Sequence, residues 1–215
     1  MSEFFQSGSV VNNDVCSTDV LENIKKRIRL HHQLYETLPI KDKYWEYTLS
    51  NSFKDANFTC KWDPESHSAG KDITVEGLKY KRISCKSGML RYGKRKKKIT
   101  KLKISGFRTT ALKTLDEKIN YIDGNHEDIV FSLSSSFFKS QKKYVLTIFT
   151  PPKFRDLTWT KKNNNYKSSK LNGVTASILD ACSHKLWYEL DYDCPLILEK
   201  HEILRTAFFT DESGE

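Results

Sequence analysis

Asp72 and Lys86 close the two ends of a stretch, DITVEGLKYKRISCK, that alternates like a β-hairpin around Gly77. Successive strand residues point to opposite faces, so Asp72, Thr74 and Glu76 share one face while Ile73 and Val75 share the other. With Gly77-Leu78-Lys79 as a three-residue loop, Glu76 falls opposite Tyr80, Thr74 opposite Arg82 and Asp72 opposite Ser84. Lys86 lies further along the same face, so Asp72, Ser84 and Lys86 converge at the open end of the hairpin. A carboxylate, a hydroxyl and an ammonium in that arrangement suit cleavage of a phosphodiester. Mg²⁺ takes oxygen ligands: one or two carboxylates, a carbonyl, the phosphate and waters. It neutralises charge and activates water. Asp72 would be the carboxylate, and the main-chain carbonyl of Cys85, between Ser84 and Lys86, a second ligand. Lys86 would orient or deprotonate water, or stabilise the transition state. The opposing reading is an edge hairpin with a solvated Asp and Lys.

Gly70-Lys71-Asp72 followed by Ile83-Ser84-Cys85-Lys86-Ser87-Gly88 resembles the PD-(D/E)xK nuclease superfamily, which includes many type II restriction endonucleases, phage exonucleases and Holliday-junction resolvases. The family sets an Asp on one strand and (D/E)-x-K on its partner. The resemblance covers residues 65–110, with one departure: Ser84 stands where the second acid belongs. It implies an acid recruited from elsewhere, commonly from a preceding helix. Glu46, in KYWEYTLSNSF, is the first candidate and Glu65, in the loop before the hairpin, the second. It also implies an α/β (α+β mixed) fold: a restriction-endonuclease-like core with a mixed central sheet flanked by helices. The implied activity is Mg²⁺-dependent hydrolysis of duplex DNA at a short, palindromic site by a homodimer, with a cognate DNA methyltransferase in the same system. Asp72, Glu46 and the Cys85 carbonyl would hold the metal, Lys86 would act on charge or water, and Ser84 would replace the usual acid. A silent basic nucleic-acid-binding protein, or a structure-directed repair or recombination nuclease, is the alternative.

Composition points the same way. The chain has 215 residues, 38% hydrophobic, with 12 Phe, 10 Tyr and 4 Trp, enough for a packed core. Its formal net charge of +9 favours a polyanionic partner, DNA, RNA or an anionic membrane surface, the opposing reading being a merely soluble basic protein. The 5 cysteines are an odd number without a CxxC, which argues against a disulfide framework or a zinc ribbon and for reduced thiols in the cytoplasm. No apolar run approaches the about 20 residues that span a bilayer. No basic region followed by an apolar core opens the sequence, so no signal peptide is expected and a nucleic acid is preferred to a membrane as partner.

The elements that must position these residues read as follows. Residues 1–17 form an arm, 18–209 one nuclease domain with DNA-contacting loops, and 210–215 a frayed tail. Ser17-Thr18-Asp19 caps a helix over 19–36, with Val20, Leu21, Ile24, Ile28 and Leu34 at helical spacing. A second helix covers 41–53, with Tyr44, Trp45, Thr48, Leu49 and Phe53 as its inner stripe and Glu46 beside it. Strands are expected at 58–62, 104–109, 129–133, 144–149 and 196–198. Residues 114–122 form a helix with Leu115 and Ile119 inward and Glu117 and Lys118 outward. Residues 161–173 form a basic loop, and 174–190 a helix with Ile178, Leu179, Cys182, Leu186 and Leu190 near helical spacing.

Three segments carry candidate DNA contacts. Lys94, Arg95, Lys96, Lys97 and Lys98 would grip phosphates or be a solvated loop. Arg108 and Thr109 would read base edges, a guanine and a thymine methyl, or end a strand. Lys161, Lys162, Asn163, Asn164 and Asn165 would combine phosphate and adenine contacts, or form a mobile surface loop. His67 would touch a phosphate or be an ordinary loop histidine. Asp180 with His184 lacks a third metal ligand, and Ser183 beside His184 points away from it on a helix. Cys85 faces the core with Ile83 and reads as a buried, inert thiol.

Overall fold

The computed structural model describes residues 15–35, 38–40, 42–63, 72–93, 98–109, 112–125, 128–138, 141–163, 165–179 and 185–204. Its architecture is mixed α/β of the α+β type: three helices and one 11-stranded sheet among the described residues. None of these helices is long and apolar enough to cross a membrane.

Helix α1 (Thr18–Leu34) starts where the Ser17 side chain accepts the Val20 N–H at 3.4 Å. Val20, Ile24, Ile28 and His32 recur every fourth residue and are buried. Leu34 is instead 78% exposed, and His32 takes the inward place: its Nε2 lies 2.8 Å from the Tyr144 hydroxyl. In α2 (Asp42–Asp55), Trp45, Thr48, Leu49 and Phe53 are buried, but Tyr44 is exposed. The Trp45 indole N–H donates to the Phe131 carbonyl at 3.0 Å, fixing α2 to the sheet.

The strands are β1 (Cys60–Trp62), β2 (Ile73–Val75), β3 (Arg82–Tyr92), β4 (Ile99–Arg108), β5 (Ile129–Phe138), β6 (Gln141–Phe149), β7 (Trp159–Lys162), β8 (Asn165–Ser168), β9 (Val174–Leu179), β10 (Lys185–Asp191) and β11 (Ile197–Leu204). The order is β11-β6-β5-β3-β4-β10-β9-β8-β7, with β1 and β2 added beside β3. The β3–β5 pair is parallel and all others antiparallel. Its crossover runs through β4 and helix α3 (Leu115–Gly124).

Alternation along the central strands divides the interior into two layers. Ile83, Cys85, Ile129, Phe131, Leu133, Tyr144, Leu146 and Ile148 pack under α1 and α2. Val130, Val145 and Phe149 face the other way, with Ile119 and Ile122 of α3 and the apolar residues of β4, β9 and β10. Helices thus cover both faces of the central strands. Thr114 caps α3 in a reciprocal box with Glu117. Lys118, expected outward, is only 1% exposed: it shares the inner stripe with Ile119 and Ile122.

The largest correction concerns 174–190. It is not a helix. β9 and β10 pair antiparallel, Leu186 opposite Ile178 and Leu190 opposite Val174. The basic loop is corrected too: β7 and β8 form a hairpin with Lys162 opposite Asn165, and Asn163 turns it at φ 55°.

Candidate active site at a break in the β3 ladder

On one edge, β3 pairs with β2 only at Arg82 and Ile83, and with β4 only from Gly88 onward. Between these points the edge meets no strand among the described residues. The β2–β3 register is Ile73 opposite Ile83 and Thr74 opposite Arg82, which brings Asp72 beside Ser84. Glu76 does not pair with Tyr80: its N–H turns to the Thr59 carbonyl at 2.9 Å, because β1 adds to the far edge of β2. The connection is accordingly wider than three residues, with Gly77 at φ 82°.

The Asp72 carboxylate fills the break. Its Oδ2 accepts the Cys85 N–H at 2.6 Å and the Ser84 hydroxyl at 3.1 Å, and lies 3.5 Å from Lys86 Nζ. The Cys85 N–H, which no strand takes up, is thereby satisfied. All these contacts fall on Oδ2, leaving Oδ1 outside them. The N–H and C=O of one strand residue leave the same edge, so the Cys85 carbonyl also opens on the break. Asp72 and Lys86 side chains keep 24% and 19% exposure, while Ser84 is fully buried.

Glu46 approaches from α2. Its Oε2 accepts the Trp62 indole N–H at 3.1 Å, so β1 orients it. Burial pushes the Cys85 thiol well above its ordinary value, and the Asp72 and Glu46 charges add to that while Lys86 opposes it. Both carboxylates and the ammonium thus act on one thiol. The Trp62 partner was not singled out from the sequence; the signal was the need of a half-buried indole N–H for an acceptor. Among the described residues, no group of three or more His, Cys, Asp or Glu is assembled for a metal. Two carboxylates with a carbonyl and a phosphate suffice for Mg²⁺, and Asp72 Oδ1, Glu46 and the Cys85 carbonyl are oxygen donors of that kind.

The remaining candidates scatter. Glu65, His67, Lys94, Arg95, Lys96, Lys97, Asn164, Asp180, Cys182, Ser183 and His184 lie outside the described residues. Lys98 is exposed and its carbonyl closes the β3–β4 connection by accepting the Gly93 N–H at 3.0 Å. Arg108 is exposed at the end of β4, but Thr109 is only 2% exposed, which removes its methyl from any base edge. Lys161 and Lys162 do not act together: Lys161 lies over the Tyr166 ring at 5.5 Å, and Lys162 is on the opposite face of β7. Asn163 is exposed and Asn165 half-buried.

No family model, curated protein or solved structure matches this chain.

Proposed function

We propose that the protein is a Mg²⁺-dependent DNA endonuclease that hydrolyses phosphodiester bonds of duplex DNA. The observation that carries this reading is the Asp72–Lys86 pair, 3.5 Å apart at the break in β3, with Glu46 bearing on the same Cys85. Asp72, Glu46 and the Cys85 carbonyl would hold the metal, which when bound supplies charge neutralisation and an activated water. Lys86 would hold charge at the phosphoryl oxygens, with the Asp72 carboxylate keeping its ammonium in place. Ser84 donates to Asp72 instead of ligating, so it positions the carboxylate. Cutting at a palindromic site would call for a two-fold dimer.

A second reading, a DNA-binding protein that does not cut, is favoured by Ser84 in the acid's place. Incubation of plasmid DNA with the protein in Mg²⁺ or in EDTA, beside K86A and E46Q, separates the two. Discrete fragments that need Mg²⁺, Lys86 and Glu46 are expected. Intact DNA in Mg²⁺, still retarded on a gel, would leave the binding protein as the better account.

A further inference from the structure

The half of the sheet beyond β3 has one buried face and one open one. Leu102 and Ile104 of β4, Leu186, Tyr188 and Leu190 of β10, and Val174, Ala176 and Ile178 of β9 are all buried on one side. Their alternates are half-buried or exposed: Lys101 and Lys103, then Lys185, Trp187 and Glu189, then Thr175 and Ser177. The register continues this face to Lys167 of β8, opposite Ser177, and to Lys162 of β7, opposite Asn165. It continues in the other direction to Met89 and Arg91 of β3, opposite Lys103 and Lys101. The main contacts of α1 and α2 fall on each other and on β1, β2 and β3. Of these strands only β3 is shared with this surface.

A solvated sheet face is ordinarily polar with mixed signs. This one is strongly biased. It carries Arg91, Lys101, Lys103, Lys162, Lys167 and Lys185 against Glu189 and Asp191. Both acids are already engaged, Glu189 by Lys101 at 3.1 Å and Asp191 by Lys170. No described carboxylate pairs with Arg91, Lys103, Lys162 or Lys167. Trp187 holds two of the cations in line: the ammoniums of Lys103 and Lys185 lie 5.0 Å and 5.1 Å from its ring centroid. That ordering lowers the entropy lost when they meet a ligand. From β3 to β7 the face crosses six strands, about 24 Å at about 4.8 Å per step. About seven base pairs of duplex, at about 3.4 Å each, match that width.

We propose that this open face, built on β3, β4, β10, β9, β8 and β7, is where the phosphate backbone of duplex DNA is held. The choice of DNA as the polyanion rests on the nuclease reading above. The location rests on the charge and register of the face alone. β3 belongs to both regions: it carries Lys86 at the break and, five residues on and on the opposite face of the strand, Arg91 on the open face.

The test is anisotropy of a labelled duplex titrated with salt in EDTA, comparing wild type, K103Q/K167Q, K103R/K167R and K153Q. Lys153 is exposed immediately before the short 3₁₀ turn Phe154–Asp156, whose Phe154 packs into the opposite layer. Each lost phosphate contact lowers the slope of log K on log salt by about 0.9. K103Q/K167Q should therefore lose about 2 from the slope, and bind about 30-fold more weakly at 0.15 M salt if the curves converge at 1 M. The arginine pair should restore both and K153Q should match wild type. An unchanged slope in K103Q/K167Q, an equal loss in K153Q, or tighter binding of single strands than of duplex would overturn the proposal. Cleavage in Mg²⁺ with an unchanged slope would refute this surface and leave the active site standing. A reduced slope without cleavage would do the reverse.

Discussion

Removing the Asp72 carboxylate tests whether it both builds the β3 break and serves the chemistry. Its Oδ2 accepts the Cys85 N–H at 2.6 Å and the Ser84 hydroxyl at 3.1 Å. Ser84 is 0% exposed and Cys85 8%. In Asp72→Ala both donors lose their acceptor in a place water reaches poorly, at about 1–3 kcal/mol each. The Lys86 ion pair, at 3.5 Å with both side chains partly exposed, adds no more than about 1 kcal/mol. The expected loss is about 3–5 kcal/mol. Asp72→Asn keeps an amide oxygen for the Cys85 N–H and loses only the charge assistance, about 1–2 kcal/mol. Urea unfolding followed by tryptophan fluorescence measures both. The nuclease reading adds that D72N, folded at 25 °C, cuts no DNA in Mg²⁺. Equal midpoints for the Ala and Asn variants would refute the claim that Asp72 stands in for a missing strand. D72N cutting as wild type would refute its place in the site.

Lys86→Ala should lower cleavage by about 10²–10³-fold, the size of effect of losing one charge-stabilising donor, while moving the urea midpoint little. Tyr144→Phe removes the hydroxyl that meets His32 Nε2 at 2.8 Å and accepts the Ile40 N–H at 3.0 Å, and should cost about 1–3 kcal/mol in the same unfolding experiment. Asp128 is partly desolvated, but hydrogen bonds from the Arg82 N–H and guanidinium and the Lys81 N–H outweigh this and hold its carboxyl below the ordinary 3.8. Its stabilisation is therefore present above that value and fades as pH falls through the folded-state value. Asp128→Asn should cost about 1–2 kcal/mol at pH 7 and flatten the acid limb of stability below about pH 4, read from melts across pH. Alkylation at pH 8 should leave Cys85 unmodified in the native protein and modify it in urea, as seen by peptide mass, because burial and the Asp72 charge keep its thiol protonated.

The hairpin was legible because alternation has only two outcomes. Once Gly77 marks the turn, Asp72 must meet Ser84, and the spread of the actual connection does not alter that register. The core side of α1 was readable for the same reason, except at its end, where His32 and not Leu34 continues the fourfold spacing. Residues 174–190 were misleading for a definable cause. Ile178, Cys182, Leu186 and Leu190 are spaced by four, which suits a helix, but Leu186 and Leu190 at an even spacing also share one face of β10, and pairing sets Ile178 of β9 opposite Leu186 on that face. The intervening Trp187 and Glu189 distinguish the cases only when the polar face is known to be open. Lys118 could not be found from its type, since a lysine on a helix is ordinarily outside. The Glu46–Trp62 contact depends on β1 joining β2, a long-range pairing that three residues do not announce.

The Glu199 side chain binds the start of α1 to the far edge of the sheet: its Oε1 accepts the Val15 and Cys16 N–H groups at 2.9 Å and 3.2 Å, across 184 and 183 residues of chain. That edge is β11, beside β6. The entry to α1 therefore waits for this contact until β11, made far later than the helix, has emerged and paired. The parallel β3–β5 pair imposes a similar wait, since β4 and α3 must be made between its partners. Long-range closure of this kind slows folding and keeps apolar surface open meanwhile. Val20, Ile24 and Ile28 lack their β5 and β6 neighbours in the same buried cluster until those strands are made. Closure of this sheet should accordingly come late and all at once, with demand for chaperone protection falling on the apolar face of α1.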